Sequence, residues 1–355
     1  MNARDSHPLQ TDTPAADLPG GRSSRSPAGR RRSFFLRLLV PGIPLLSLSA
    51  AFLFADDAGP QPVVTKQTDG DVLVQFAVPA GQFQRVETSK DLNSWQALAT
   101  VSSNGTAQYR DSGAVYNGRR YYRFTAVPGT GIFTGDHLQT SEGDVVIKPI
   151  NHASFVLQWN GKTIYCDAVG AASRYAGLPL ADLMLVTHGH GDHYEPATLT
   201  SQKKAAGTVI IAPAAVYSGM NATLKPLTTS LANGASTSAI GITIDAVPAY
   251  NSNHPQGTGN GYILTIGGKR IYFSGDTGDI PEMRALPNID VAFVCMNIPF
   301  TMSVTSAVSV VRAFKPKVIY PYHYRNSDST YADLNLFKSQ VGTDLGIEVR
   351  LRPWY

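Results

Sequence analysis

The residues from His188 to His193 read "HGHGDH" and set four potential metal ligands within six positions: His188, His190, Asp192 and His193. Three of the chain's 8 His are spent there. Neutral imidazoles with a carboxylate suit a borderline cation such as Zn²⁺. Without a cation, so many crowded ligands would repel or stay unsatisfied. His188 and His190 lie two apart, a spacing that turns both rings to one side of an extended chain. Gly189 and Gly191 are read as permitting a sharply bent backbone. The loop follows "ADLMLVT", an apolar run that reads as a buried strand, and a helix is expected to begin near "YEPATL". One loop does not complete a site, so the remaining ligands must come from other strand ends.

Such residues exist. Asp276 closes the strand "RIYFSGD", and His323 closes "VIYPYH". His254 lies in "AYNSNHPQG", just after the strand "ITIDAVPA". His152 begins "HASFVLQW", and Asp167 ends "TIYCD". For His152 two readings stand, a satisfied edge histidine or a group on the substrate side. His137 and His7 are read as facing solvent. Cys166 and Cys295 sit in apolar strand-like runs and are read as buried free thiols. No Ser or Cys nucleophile motif competes with the metal reading.

The stretch "THGHGDH" matches the signature T-H-x-H-x-D-H of the metallo-β-lactamase superfamily. With "SGDTG" and "PYHY" following in order, the chain resembles that superfamily from about Asp144 onward. "NHASFVLQWNGKTIYCDA", "IYFSGDTGDIPEM", "FTMSVTSAVSVV" and "VIYPYHY" look like the branch containing ascorbate-6-phosphate lactonase and N-acylphosphatidylethanolamine phospholipase D. The resemblance implies an α/β fold, an αββα sandwich with metals at one edge of the paired sheets. It implies that His188 and His190 bind a first metal. Asp192, His193 and His323 would bind a second, Asp276 would bridge both, and Asp167 would orient a ligand imidazole. The third ligand of the first metal departs from the pattern. Many relatives carry a His where the strand ends, whereas here Tyr250 and Asn251 stand there and His254 is the available candidate. Thr301 and Met302 match the family's "TM" element, with a packing role equally open.

Two metal ions per chain are expected, zinc first, with Mn²⁺ or Fe²⁺ as alternatives. A dinuclear site lowers the pKa of a bound water toward ~7 and so makes hydroxide at neutral pH. That hydroxide would attack a carbonyl or phosphoryl centre, with Asp192 orienting it. The reaction class is hydrolysis of an ester, lactone, amide or phosphodiester bond. A di-iron redox enzyme on this fold would carry Glu where His190 stands. The alternative from a different class is a non-enzymatic exported surface or binding protein with a degenerate metal domain, and the retained ligand set speaks against it.

These residues need a framework to hold them. "FVLQW-NG-KTIYC" is a hairpin signal, with Asn160-Gly161 suited to a type I′ turn, and "YILTI-GG-KRIYFSG" is another. "DLMLVT" and "TVIIA" read as continuous apolar strands. "VTSAVSVVRAF" sets Val304, Ala307, Val308 and Val311 on one helical face with Ser303 as N-cap, and "ADLNLFKSQV" reads as a second amphipathic helix. Hairpins first, then strands alternating with helices, point to sheets packed face to face with helices outside. This hydrolase domain is expected over 135–355. Residues 56–131 read instead as a small all-β sandwich module whose strands pair with themselves, dispensable for chemistry and suited to contact with a polymer or another protein. There "VETSKDLNSWQALAT" and "RRYYRFTAV" resemble a fibronectin type III-like module, with Trp95, Tyr121 and Tyr122 as core aromatics.

Residues 1–55 read as a leader. The first thirty are rich in Pro, Ser, Gly, Ala and Arg and are expected to be disordered. A basic cluster then precedes an apolar run from Phe34 to Ala55, which is signal-peptide architecture. "RRSFF" at Arg31 to Phe35 resembles a twin-arginine export signal. Residues 34–55 are also long enough for a membrane anchor, though Arg37, Pro41 and Pro44 weaken a stable span. The expected location is therefore exported: periplasmic, secreted or membrane-anchored. The leader holds seven Arg and three Asp, which leaves 30 − 7 = 23 basic and 26 − 3 = 23 acidic residues in the rest. A body of zero net charge excludes a global preference for nucleic acid. A small-molecule or lipid-like substrate is expected.

Overall fold

The computed structural model describes residues 36–39 and 62–355. The leader readings, apart from four residues of the apolar run, and His7 lie outside the described residues. The first seven strands are β1 (Leu36–Leu39), β2 (Val63–Lys66), β3 (Val72–Val78), β4 (Phe83–Ser89), β5 (Gln96–Ser102), β6 (Gly105–Asp111) and β7 (Arg119–Val127). β2, β3 and β6 form one antiparallel sheet, while β4 is flanked by β5 and β7, and β1 lies along β7. Alternation is what lets two such small sheets share a core. Val72, Val74 and Phe76 on β3 and Tyr109 on β6 meet Val86 on β4, Leu98 on β5 and Phe124 on β7. Tyr122 joins this core and donates its hydroxyl to Asp111 at 2.7 Å, and Tyr121 is buried. Trp95, expected in the core, is partly exposed instead, with the Arg123 guanidinium 4.3 Å above its ring. An indole under a cation packs well at a surface and has no need of a core.

The next seven strands are β8 (Gly135–Leu138), β9 (Val145–Asn151), β10 (Ser154–Trp159), β11 (Lys162–Cys166), β12 (Leu183–Leu185), β13 (Val209–Ala212) and β14 (Thr228–Ser230). β5 pairs with β8, Ala99 opposite Asp136 and Thr100 opposite Gly135. The strands expected to pair only among themselves therefore continue into an eleven-stranded sheet. Gly135 makes the junction possible, because a Cβ there would stand 2.2 Å from the Ile147 carbonyl oxygen. His137, expected in solvent, is buried beside this junction. Its Nε2 is 2.9 Å from Thr100 Oγ1 and its Nδ1 2.8 Å from Asp144. β8 pairs with β9, and β9 to β11 run antiparallel. The β10–β11 hairpin turns at Asn160-Gly161, both at positive φ, as type I′ requires. β11 to β14 are parallel.

The second sheet holds β15 (Ser236–Ala239), β16 (Ile242–Ala249), β17 (Gly259–Ile266), β18 (Lys269–Phe273), β19 (Val291–Cys295), β20 (Val318–Tyr322) and β21 (Glu348–Val349), in that order. The Gly267-Gly268 turn joins β17 to β18 as expected. Period-two alternation sorts each strand's residues between layers. Phe155, Leu157, Ile164, Cys166, Leu183 and Leu185 face the second sheet, and Phe155 stacks on Phe293 at 4.2 Å. Their neighbours Val156, Tyr165 and Met184 turn outward and are covered by Leu199 of α1 (Pro196–Gln202) and Val216 of α2 (Ala214–Gly219). The far face of the second sheet is covered by α3 (Pro281–Arg284), α4 (Val304–Phe314) and α5 (Leu334–Val341). α4 begins at Ser303, whose side chain accepts from Ser306 N, and buries Ala307, Val308, Val310, Val311 and Phe314. The result is the αββα sandwich. Among the described residues, no helix is long and apolar enough to cross a membrane.

Candidate metal centre

The parallel strands of both sheets end at one edge of the sandwich. β12 leads to His188, β11 to Asp167, β18 to Asp276 and β20 to His323, and residues 250–254 follow β16. Three residues there hold left-handed backbones without being glycine: His152 (φ 54°), Asp167 (φ 43°) and His323 (φ 48°). Such conformations cost of order 1–3 kcal/mol each and persist where surrounding structure over-determines them. Gly189 and Gly191, by contrast, take no positive φ. The bend of this loop is made within ordinary backbone space.

The sequence candidates converge. One ligand atom from each of His188, His190 and His254 lies within 4.8 Å of the others, and the same holds for His188, His193 and Asp276 and for His152, Asp192 and His323. His254 Nε2 is 3.1 Å from His190 Nδ1. His193 Nε2 is 3.0 Å from His323 Nε2, and each is 3.3 Å from Asp276 Oδ1. Asp192 Oδ2 stands 3.1 Å from His152 Nε2 and 3.4 Å from His323 Nε2. Eight of the nine residues read from the sequence therefore converge at this edge, and the ninth, Asp167, lies immediately behind it.

Asp167 orders two of the rings. Its carboxylate accepts from Thr187 N at 2.8 Å, from Thr187 Oγ1 at 2.7 Å and from His193 Nδ1 at 2.8 Å. Because the Thr187 hydroxyl gives its proton to Asp167, its oxygen is left to accept from His188 Nδ1, 3.2 Å away. His188 then carries its proton on Nδ1 and turns an Nε2 lone pair inward, the form in which imidazole ligates, while His193, its Nδ1–H fixed on Asp167, turns its Nε2 the same way. Thr187 was not singled out from the sequence, although it is the first letter of the "THGHGDH" signature. Nor was Tyr355, whose hydroxyl reaches His152 Nδ1 at 2.6 Å and which no motif marks.

The electrostatics fit a cation. Burial, then the neighbouring His193, pulls His188 down to about 2, so its ring stays neutral. Burial also lowers His254 and His152. Asp276 would be raised by its burial, but His323 and His193 outweigh that and hold it ionised well below the usual carboxylate range. Asp192 is likewise lowered against its burial by its hydrogen bonds to His152 and His323. His193 is raised against its burial by Asp276 and Asp167. Among the described residues, buried His188 Nε2, Asp276 Oδ1 and His323 Nδ1 have no hydrogen-bond partner. Unpaired buried acceptors are costly, and a divalent cation would satisfy the first two together. The donor set therefore fits borderline divalent metals.

Fold and centre together define the class. Residues 146–323 match the model of the beta-lactamase superfamily domain, and the chain belongs to that superfamily. Within it, the chain is similar to a UPF0173 metal-dependent hydrolase of Pyrococcus abyssi, 30% identical over 221 residues, which are 59% of this chain and 97% of the relative. A UPF0173 metal-dependent hydrolase of Thermococcus kodakarensis is 32% identical over 220 residues, again 59% and 97%. Among solved structures, a protein of Parabacteroides distasonis described as a metal-dependent hydrolase is 38% identical with TM-score 0.55, covering 62% of this chain and 99% of that one. Igni18, a metallo hydrolase of Ignicoccus hospitalis, is 25% identical with TM-score 0.51, covering 59% and 94%.

Proposed function

We propose that this chain is a metal-dependent hydrolase that holds two metal ions, zinc by preference. In this reading His188, His190 and His254 hold the first, and Asp192, His193 and His323 the second, with Asp276 between them. One observation carries it: buried His188 Nε2 and Asp276 Oδ1, without hydrogen-bond partners among the described residues, stand among converging imidazoles. When bound, such ions polarise the scissile group and supply a nucleophile at neutral pH. The chain's own residues do the rest. Asp167 and Thr187 keep His193 and His188 turned inward. Asp192, with 44% of its side chain exposed, is the carboxylate of the set that meets solvent and orients the attacking group. The bond cleaved is an ester, lactone, amide or phosphodiester. The motifs that resemble the lactonase and phospholipase branch support this, and the zero net charge of the body argues for a small or lipid-like substrate. Export through the leader, with 34–55 as signal or anchor, and binding of a polymer or protein by the fibronectin-like module belong to the same proposal.

The test is metal analysis of the purified full chain after metal-supplemented expression, with a chelator-sensitive screen of chromogenic esters, lactones and phosphodiesters. About two equivalents and chelator-reversible turnover are expected. Less than one equivalent of zinc, manganese and iron together would overturn the reading. His254 is the demanding ligand. Its Nδ1 faces Asn251 Nδ2 at 2.9 Å, while Asn251 Oδ1 already accepts from Asn253 N and His254 N. With that arrangement the neutral ring carries its proton on Nε2, so ligation through Nε2 would need that proton to move to Nδ1 and the Asn251 amide to turn its oxygen toward it. His254→Ala is expected to remove most of the first metal and most activity, and Asn251→Ala to lower both mildly. Full occupancy in His254→Ala would take His254 out of the set.

A further inference from the structure

We propose that the Tyr355 hydroxyl is a positioning group of this centre: it holds His152 in the tautomer whose Nε2–H donates to Asp192. The inference rests on reading the cluster as a metal centre. His152 occupies the turn between β9 and β10, and its backbone is held on both sides. Its N–H donates to the Trp354 carbonyl at 3.3 Å, and its own carbonyl accepts from His323 N at 3.1 Å. Its ring lies 3.8 Å from the His323 ring, centroid to centroid. The two ring nitrogens therefore have fixed neighbours, Tyr355 Oη at 2.6 Å from Nδ1 and Asp192 Oδ2 at 3.1 Å from Nε2.

The proton directions follow from the third partner. Arg325 N donates to Tyr355 Oη at 3.3 Å, so the phenol's own proton is free to go to His152 Nδ1. Burial keeps that phenol raised above its ordinary value and hence a donor. With Nδ1 accepting, the single proton of the neutral ring sits on Nε2 and points at Asp192. A nitrogen that carries this proton offers no lone pair to a metal. His152 therefore serves Asp192 as a donor, even though its ligand atom lies as near to Asp192 and His323 as a ligand's would. Asp192 is the most exposed carboxylate of the set and is tethered by one loop, so it gains most from being fixed. The Tyr355 ring is itself wedged between Tyr324 and Tyr331, at 5.0 and 5.1 Å, beneath the Arg325 guanidinium at 5.2 Å.

Tyr355→Phe keeps the ring and removes only the hydroxyl. Nitrogen NMR of ¹⁵N-histidine-labelled full chain, metal-free and zinc-loaded, reads the tautomer directly. The Nε2–H form is expected for His152 in the wild type, and a mixture in Tyr355→Phe. On whichever chromogenic ester or phosphodiester the wild type turns over, kcat is expected to fall about tenfold, the range of losses when a group orienting a metal ligand is removed. KM should move less than twofold and metal content should not change. Tyr331→Phe, in the same aromatic cluster, should alter none of these. His152→Gln, which keeps an amide donor, should retain more activity than His152→Ala. A wild-type tautomer and wild-type kcat in Tyr355→Phe overturn the proposal. So does loss of a full metal equivalent in His152→Ala, which would make His152 a ligand. A wild-type chain that binds no metal is a different failure, that of the centre itself.

Discussion

Asp167 touches no position where a metal is proposed, yet two imidazoles depend on it. Asp167→Asn removes the charge and one acceptor lone-pair set that hold His193 Nδ1–H and the Thr187 hydroxyl. Metal affinity is expected to fall about 10–100-fold, read by zinc titration of metal-free protein. An unchanged affinity would separate Asp167 from the centre. The two thiols behave in the opposite way, as groups that the fold silences. Cys166 and Cys295 are buried and free. Burial pushes Cys166 well above its ordinary value and Cys295 up to about 11. Both are thus neutral at pH 8, and native protein should resist iodoacetamide until denatured. Unfolded thiols ionise near ~8.5, so the contribution of Cys295 to stability is intact below that pH. It is lost as pH rises toward 11, because only the unfolded chain releases the proton. Rapid alkylation of native protein at pH 8 would show an exposed thiol.

At the scale of elements, the loop after β18 has almost no freedom. Gly275 adopts φ +59°, and a Cβ there would stand 3.0 Å from the Asn260 carbonyl and 3.0 Å from Thr187 Cβ. Gly275→Ala must therefore push Asp276 and the Thr187 loop apart, two parts of one centre. Metal content should drop below one equivalent while far-UV circular dichroism stays unchanged. The N-cap of α4 offers the contrast. Ser303→Ala removes the acceptor for Ser306 N and should cost ~1 kcal/mol in denaturant unfolding. Metal content should be unaffected, because α4 lies on the outer face of the second sheet. A loss of metal in that variant would mean that the helix end controls the centre.

At the scale of the whole molecule, the β-rich region before β8 is stitched into the rest. Beyond the β5–β8 pairing, Arg352 Nε donates to Asp136 at 2.9 Å, and its guanidinium also reaches Tyr109 Oη at 3.1 Å and the Arg110 carbonyl at 3.2 Å. Tyr320 donates to Asp136 at 2.6 Å, and Arg350 donates to Tyr320 at 3.0 Å. A chain starting at Gly135 would lose the β5 edge and strip Arg352 of two partners. A hydrogen bond to a charged group contributes about 1.5–3 kcal/mol. The shortened chain, which a module paired only with itself would leave undisturbed, should melt well below the full one. An equal midpoint in denaturant would show that the junction contributes nothing.

The residues of the centre were legible because ligand chemistry leaves a local trace. "HGHGDH" is dense in types that are expensive to crowd, and Asp276 and His323 stand at the ends of apolar runs that had to be strands. The two glycine-bearing hairpin turns and α4 with its cap were legible for the same reason, since their causes lie within a few residues. His254 could be named only as a remaining candidate, because three loop residues separate it from the strand end. Its approach to His190 depends on how that loop folds back. Thr187 and Tyr355 act through partners far along the chain, up to 203 positions away for His152 and Tyr355. Trp95, His137 and the β5–β8 pairing escaped for the same reason. An indole, an imidazole or a strand edge carries no mark of its partner until the sheets are assembled. Sequence specified the chemistry and the local elements, and the packing of two sheets decided which side chains meet, because contacts across the sandwich are between residues that the chain itself keeps far apart.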